Sequence, residues 1–154
     1  MLIAIDTTIL DITIPGEPQG KGRGRAVRVG AGVRVVTPKP TRSYEATVAQ
    51  VAGWARKNAP WPVPGPLLVD IEAVHRRPGG AFRQADPDGR MWRPRKPDID
   101  NVIKAILDGL GQAGVWQDDG QVVELRARQV DGAIVDRRAK TSEAPHVRVR
   151  VSRC

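Results

Sequence analysis

The chain has 154 residues, a formal net charge of +8 and an isoelectric point near 10.5. That is the length of one domain with its own core, so residues 1–154 read as a single unit. No apolar run is long enough to span a bilayer, and the opening MLIAIDTTIL carries Asp6 and no basic leader, unlike a secretory signal. Both point to a cytoplasmic protein. The sole cysteine is Cys154, which excludes an internal disulfide and a cysteine zinc site. His75 and His146 are far apart in sequence and read as surface or strand residues.

The excess charge favours a polyanionic partner, of which nucleic acid is the commonest. Its distribution strengthens this. No acid occurs between residues 18 and 44, where Lys21, Arg23, Arg25, Arg28, Arg34, Lys39 and Arg42 all lie. A second basic stretch carries Arg90, Arg93, Arg95 and Lys96. The acids do the reverse: Asp98, Asp100, Asp108, Asp118 and Asp119 gather in one short segment. A phosphate backbone would repel those carboxylates unless a cation lay between.

In chain order, residues 8–14 alternate as a strand, ended by Pro15-Gly16. The Gly- and Arg-rich segment that follows reads as a loop or a hairpin returning through residues 33–36. Ser43 is placed to cap a helix reaching about residue 58, with Val48, Val51, Ala52 and Ala55 as its apolar stripe. Trp54 reads as helix core and Trp61 as packing in the Pro-rich connector that follows. Residues 67–75 alternate as a half-buried strand. Residues 76–97 show no period, and a loop of that length in a compact domain is usually functional or disordered. Trp92, within it, is a candidate either for packing or for stacking on an unpaired base. The clearest helix covers residues 99–110, with Ile99, Val102, Ile103, Ile106, Leu107 and Leu110 on one face. Asp98 is its N-cap, Ile99 its buried anchor, and Gly111 and Gly114 its end. Residues 122–130 and 147–151 alternate as strands, with Arg126, Arg128, Arg148 and Arg150 on one parity.

The chemistry concentrates in KPDIDNVIKAILDGL and the downstream AGVWQDDGQVVEL. Asp98 and Asp100 flank Ile99, and Lys104 and Asp108 follow at one-turn intervals on the polar face. A helix–turn–strand return can bring Asp118 or Asp119 back against the helix start. Carboxylates from separate segments suit Mg²⁺, a hard cation that prefers oxygen ligands. Such an ion activates water and neutralises the leaving oxygen of a phosphodiester, and Lys104 can stabilise the charge that develops. Spacing alone leaves a second reading open: Asp98 as a plain N-cap, Asp100 as a favourable charge at a helix start, and Asp118-Asp119-Gly120 as a turn.

These two strings resemble the signature of the RusA family of Holliday junction resolvases, and IPGEPQGKGRGR resembles that family's N-terminal Gly-Pro-Lys-Arg segment. The combination of D-x-D-N-x-x-K with W-x-D-D is specific, whereas D-x-D alone is not. The resemblance implies an α+β fold, a mixed β-sheet packed by two main helices, a homodimer, and Mg²⁺-dependent endonuclease activity on four-way junctions, with Mn²⁺ as a substitute ion. It implies no small-molecule cofactor and no membrane, and a setting in the cytoplasm of a bacterial or phage-infected cell. Carried over by position, Asp98, Asp100 and Asp119 are the metal-binding aspartates and Lys104 the catalytic lysine. Asp118 is an accessory carboxylate, Asn101 a supporting polar residue, and Trp116 packs beside the site. Lys21, Arg23, Arg25, Arg93, Arg95 and Lys96 are the expected DNA phosphate contacts. Two rival readings are a PD-(D/E)xK nuclease, for which Glu124-Leu125-Arg126 has Arg where Lys belongs, and a basic DNA-binding regulator without catalysis.

Overall fold

The computed structural model describes residues 7–154; Met1–Asp6, which carry part of the argument against a secretory leader, lie outside them. In chain order the elements are β1 (Thr8–Pro15), a hairpin of β2 (Arg25–Val29) and β3 (Gly32–Val36), helix α1 (Lys39–Arg56), β4 (Leu67–His75), β5 (Met91–Trp92), helix α2 (Ile99–Ala113), β6 (Val122–Asp131), a small hairpin of β7 (Ile134–Asp136) and β8 (Thr141–Ser142), and β9 (His146–Arg153). Five strands form one mixed sheet in the order β1-β9-β4-β6-β5. Only β4 and β6 run parallel, and the chain between them supplies α2. No helix among the described residues is long and apolar enough to cross a membrane.

Period-two alternation decides which face of the sheet is covered. Leu10, Ile12 and Ile14 of β1, Leu67, Val69 and Ile71 of β4, and Val147, Val149 and Val151 of β9 are buried in one cluster with Val48, Ala52, Val102, Ile106 and Leu110 of the helices. Each of the Leu, Ile and Val side chains contributes about 1.5–3 kcal/mol on burial. Among the described residues the opposite face has no helix. It carries a lattice of opposed charges instead, because the register sets Asp70 beside Arg126 and Arg150, and Glu72 beside Arg128 and Arg148. Asp11 accepts from Arg148 at 3.0 Å and Arg150 at 3.3 Å, while Glu72 pairs with Arg90 at 2.7 Å and Arg128 at 2.5 Å. Burial alone would raise the Glu72 carboxyl, but the two guanidiniums outweigh it and hold it below the usual range.

The α+β class, the strands and the hairpin match the sequence reading, and several local expectations do not. Helix α1 begins at Lys39, before Ser43, and no side chain caps it. Pro40 occupies its first turn, where a missing N–H costs nothing. The buried stripe of α1 then runs through Thr41, Tyr44, Glu45, Val48 and Ala52, which leaves Ala55 exposed. Trp54 is 69% exposed rather than core, since two residues beyond Ala52 lies about 200° around the helix. Ile99 is 37% exposed rather than a buried anchor. The 76–97 stretch is ordered by Arg77, which is buried and donates to the carbonyls of Pro87 at 2.7 Å, Gly89 at 3.2 Å and Gly132 at 3.5 Å.

The helices meet where Gly109 faces α1. A Cβ there would lie 2.6 Å from Val48 Cβ and 3.0 Å from the Glu45 carbonyl oxygen. Gly109→Ala should therefore lower the urea midpoint by the equivalent of about 1–3 kcal/mol, despite the ~1 kcal/mol that alanine gains in helix propensity.

Candidate active site

The segment between β1 and β2 is a strap laid across the starts of both helices. Its alternating glycines face inward at close range. A Cβ at Gly20 would lie 2.8 Å from Pro97 Cβ, one at Gly22 2.9 Å from Pro38 Cγ, and one at Gly24 2.5 Å from Val35 Cγ1. Lys21 N donates to the Asn101 carbonyl at 2.9 Å and Gly22 N to Thr41 Oγ1 at 2.9 Å. The Lys21 ammonium pairs with Asp108 of α2 and with Glu45 of α1 at 3.2 Å. Asp108 raises its pKa most, and Glu45 adds to this, against the opposing effect of burial.

A second set of contacts holds the loop that delivers Asp98. His75, fully buried on β4, faces Glu17 Oε1 at 3.0 Å through Nδ1 and Gln129 Oε1 at 3.2 Å through Nε2. Burial, then the charge of Arg93, pushes the His75 pKa down against the pull of Glu17. The Gln129 amide nitrogen shares its protons among the carbonyls of Arg93 at 3.3 Å, Arg95 at 3.4 Å and Pro97 at 3.2 Å. Arg93 at 2.7 Å and Arg95 both pair with Asp131, which is fully buried. Periodicity singles out none of Glu17, His75, Gln129 or Asp131 for this work. Each sits at an ordinary strand or loop position, and only the fold brings them together.

Asp98 stands at the N-cap of α2, yet its side chain makes no capping hydrogen bond. Its carboxylate instead accepts from Lys96 Nζ at 2.5 Å. Asp100 is exposed in the first turn, and Lys104 is exposed one turn on. Asp118 does what the turn reading expects: it accepts from Gly120 N at 2.7 Å, while the Gln121 side chain accepts from its own N–H at 3.1 Å. Asp119 accepts from the indole N–H of buried Trp116 at 2.9 Å, which fixes its direction.

The expectation that the return would carry Asp118 or Asp119 to the helix start is overturned. Asp119 lies beside the other end of α2, where a Cβ on Gly111 would be 3.5 Å from its Oδ1. Gly111 is about 20 Å along the axis from Asp98 at the helical rise. Among the described residues no three His, Cys, Asp or Glu side chains converge to hold a metal. Carboxylate oxygens suit a hard divalent cation, and both ends of α2 offer them, but the described residues of a single chain do not bring them together. The basic residues also divide. Arg23 and Arg25 are exposed, with no ion pair among the described residues, whereas Lys21, Arg93, Arg95 and Lys96 each face a carboxylate.

Replacing Gln129 with alanine removes the donor shared by three loop carbonyls. The variant should lose about 1–3 kcal/mol of stability, and amide hydrogen exchange should speed up over residues 93–98 more than in α1.

The model of the family described as Endodeoxyribonuclease RusA matches residues 15–152. YqaN of Bacillus subtilis (strain 168), an uncharacterised protein, is 28% identical over 122 residues, covering 76% of this chain and 84% of that protein. The crossover junction endodeoxyribonuclease RusA of Escherichia coli (strain K12) is 53% identical over 32 residues, 21% of this chain and 27% of the relative. The protein of the same name in Enterobacteria phage 82 matches to the same extent. With a family match spanning nearly all of the fold, the chain belongs to the RusA endodeoxyribonuclease family.

Proposed function

We propose that the protein is a divalent-metal-dependent endonuclease that cuts four-way and related branched DNA in recombination and repair. The observation that carries this reading is the pair Asp98 and Asp100 at the start of α2. Their carboxylates are not used as helix caps, in a chain of a family whose relatives are named as crossover junction endodeoxyribonucleases. In this reading Asp98, Asp100 and Asp119 hold Mg²⁺, for which Mn²⁺ substitutes. The bound ion supplies an activated water and charge neutralisation at the scissile phosphate. Lys104, one turn from Asp100, stabilises charge on the transferred phosphate, and Asn101 fixes the strap through its carbonyl. Trp116 directs Asp119. Arg23 and Arg25 contact the backbone.

The separation of Asp119 from Asp98 argues for a second copy. If two α2 helices lie side by side and antiparallel, each start meets the other's end, so the partner subunit's Asp119 joins Asp98 and Asp100. The surface beside α2 suits such a partner. Val123 is 63% exposed, Leu125 42% and Ile99 37%, with Ile103 and Leu107 only partly buried next to them. Among the described residues β5 pairs only with Val130 and Asp131, and beyond it the outer edge of β6 has no strand neighbour. An apolar, unpaired edge of this kind is a common site of self-association. A two-fold dimer would carry two such sites for the two opposed cuts a junction needs.

The test uses a labelled four-way junction with Mg²⁺. Asp100→Asn and Asp119→Asn should each reduce cutting by about 10²-fold or more, and chelation should abolish it. Unfolding the two variants together and refolding the mixture should restore nicking of one strand, because a mixed dimer keeps one site with both acids intact. A mixture as inactive as its parents would place the whole site within one subunit. Variants that cut like the unaltered protein would overturn the assignment of the site to these aspartates, and an unaltered protein that binds the junction without cutting it would overturn the nuclease reading in favour of a DNA-binding regulator.

A further inference from the structure

The β2–β3 hairpin stands apart from the rest of the molecule. Its two-residue turn has Gly30 at φ +59° in the first central position, as a primed hairpin turn requires. Each strand has five residues, so the ribbon is about 17 Å long. Among the described residues it packs on no sheet and no helix face: Val27 is 43% exposed, Val29 59%, Val33 73% and Val35 72%. Burial therefore does not explain these valines. Directly paired residues point to the same side of the ribbon, so Arg25, Val27, Val29 and Arg34 share one face, and Arg28, Val33 and Val35 share the other. Both faces thus interleave arginine with an apolar side chain.

The contrast with the sheet is informative. Arg126, Arg128, Arg148 and Arg150 stand on the helix-free face and each pairs with a carboxylate. No acid lies near the hairpin in sequence, and among the described residues no ion pair engages Arg25, Arg28 or Arg34. At the base of the hairpin a cleft against the first turn of α1 is lined by Arg23, Arg25, Lys39 and Arg42, again with no carboxylate. This base is fixed relative to the candidate active site, because the strap that leads into it presses Gly20 on Pro97 and Asn101 and ties Lys21 to α2.

Building on the endonuclease reading, we propose that the β2–β3 hairpin is a DNA-gripping arm. Its arginines and the basal cleft hold backbone phosphates, and its valines enter the opened base stack at the branch point. Phosphate contacts provide affinity for any DNA. Apolar side chains inserted between base steps favour DNA that is already unstacked.

The test measures binding of a four-way junction and a linear duplex of equal length, without divalent metal, across a salt series. Replacing Arg25, Arg28 and Arg34 together with glutamine should weaken both complexes and flatten the log–log salt slope by about 2–3. Val33→Ser with Val35→Ser should leave the slope and the duplex affinity intact and lower the preference for the junction several-fold. Unchanged affinity and slope in both variants would overturn the proposal. So would conversion of either variant from dimer to monomer on sedimentation, which would make the hairpin a contact between copies. Because no cutting is scored, these shifts would stand even if the unaltered protein cleaved nothing, and that result would count against the endonuclease reading alone.

Discussion

The ammonium of Lys21 joins three parts of the chain that are distant in sequence: the strap, α1 through Glu45 and α2 through Asp108. Glu45 is almost fully buried and also accepts from Gln112 of α2 at 2.9 Å. Removing one partner would leave a charge with poor access to water, which is far costlier than losing an exposed pair. The ion cluster sits beside the close contact of Gly109 with Val48, so polar and apolar packing fix the same helix crossing. The strap's glycines, the angle of α2 and the direction of Asp98 and Asp100 all follow from it. A lysine whose place in a Gly–Lys–Gly–Arg run suggests a phosphate contact is, in the folded chain, part of the frame.

Charge in this molecule is thus of two kinds. On the helix-free face of the sheet, and around Asp131 and Glu72, arginines meet carboxylates at hydrogen-bond distance. They take the place of a second packing layer and contribute little net field. Along the strap and the β2–β3 hairpin they have no such partners among the described residues, so the net charge of +8 is expressed mainly there. Formal charge counted along a sequence cannot separate these cases, because the pairing depends on strand register. Arg150, for instance, meets Asp11 only because β9 lies between β1 and β4.

Much of the fold was readable in advance because its signals are local. Alternation marked β1, β4, β6 and β9, and the three-and-four spacing marked α2. What failed depended on neighbours. Ile99 carries the right residue type for a core, but it lies at the rim where α2 meets the open edge of β6. The misplaced return of Asp119 turned on where α2 ends. From residue 110, where the spacing ends the helix, nine residues could extend about 30 Å, enough to come back. With α2 running to Ala113, Asp119 lies only five residues beyond Gly114, a reach of at most about 17 Å when extended, less than the ~22 Å length of a 15-residue helix. The chain had no slack to carry that aspartate back to the helix start. The roles of His75 and Gln129 had no sequence signal, since they buttress a loop through contacts that only the parallel pairing of β4 with β6 creates.

The same length has a consequence for how such an enzyme would measure its substrate. In the proposed pair of antiparallel α2 helices, the two composite sites would fall at opposite ends of the pair, about one helix length apart. Helix α2 would then act as a caliper, with the distance between the two incisions set by the number of its turns. Adding or deleting a turn in such a family would change the gauge of the branch point it accepts while leaving every catalytic side chain in place.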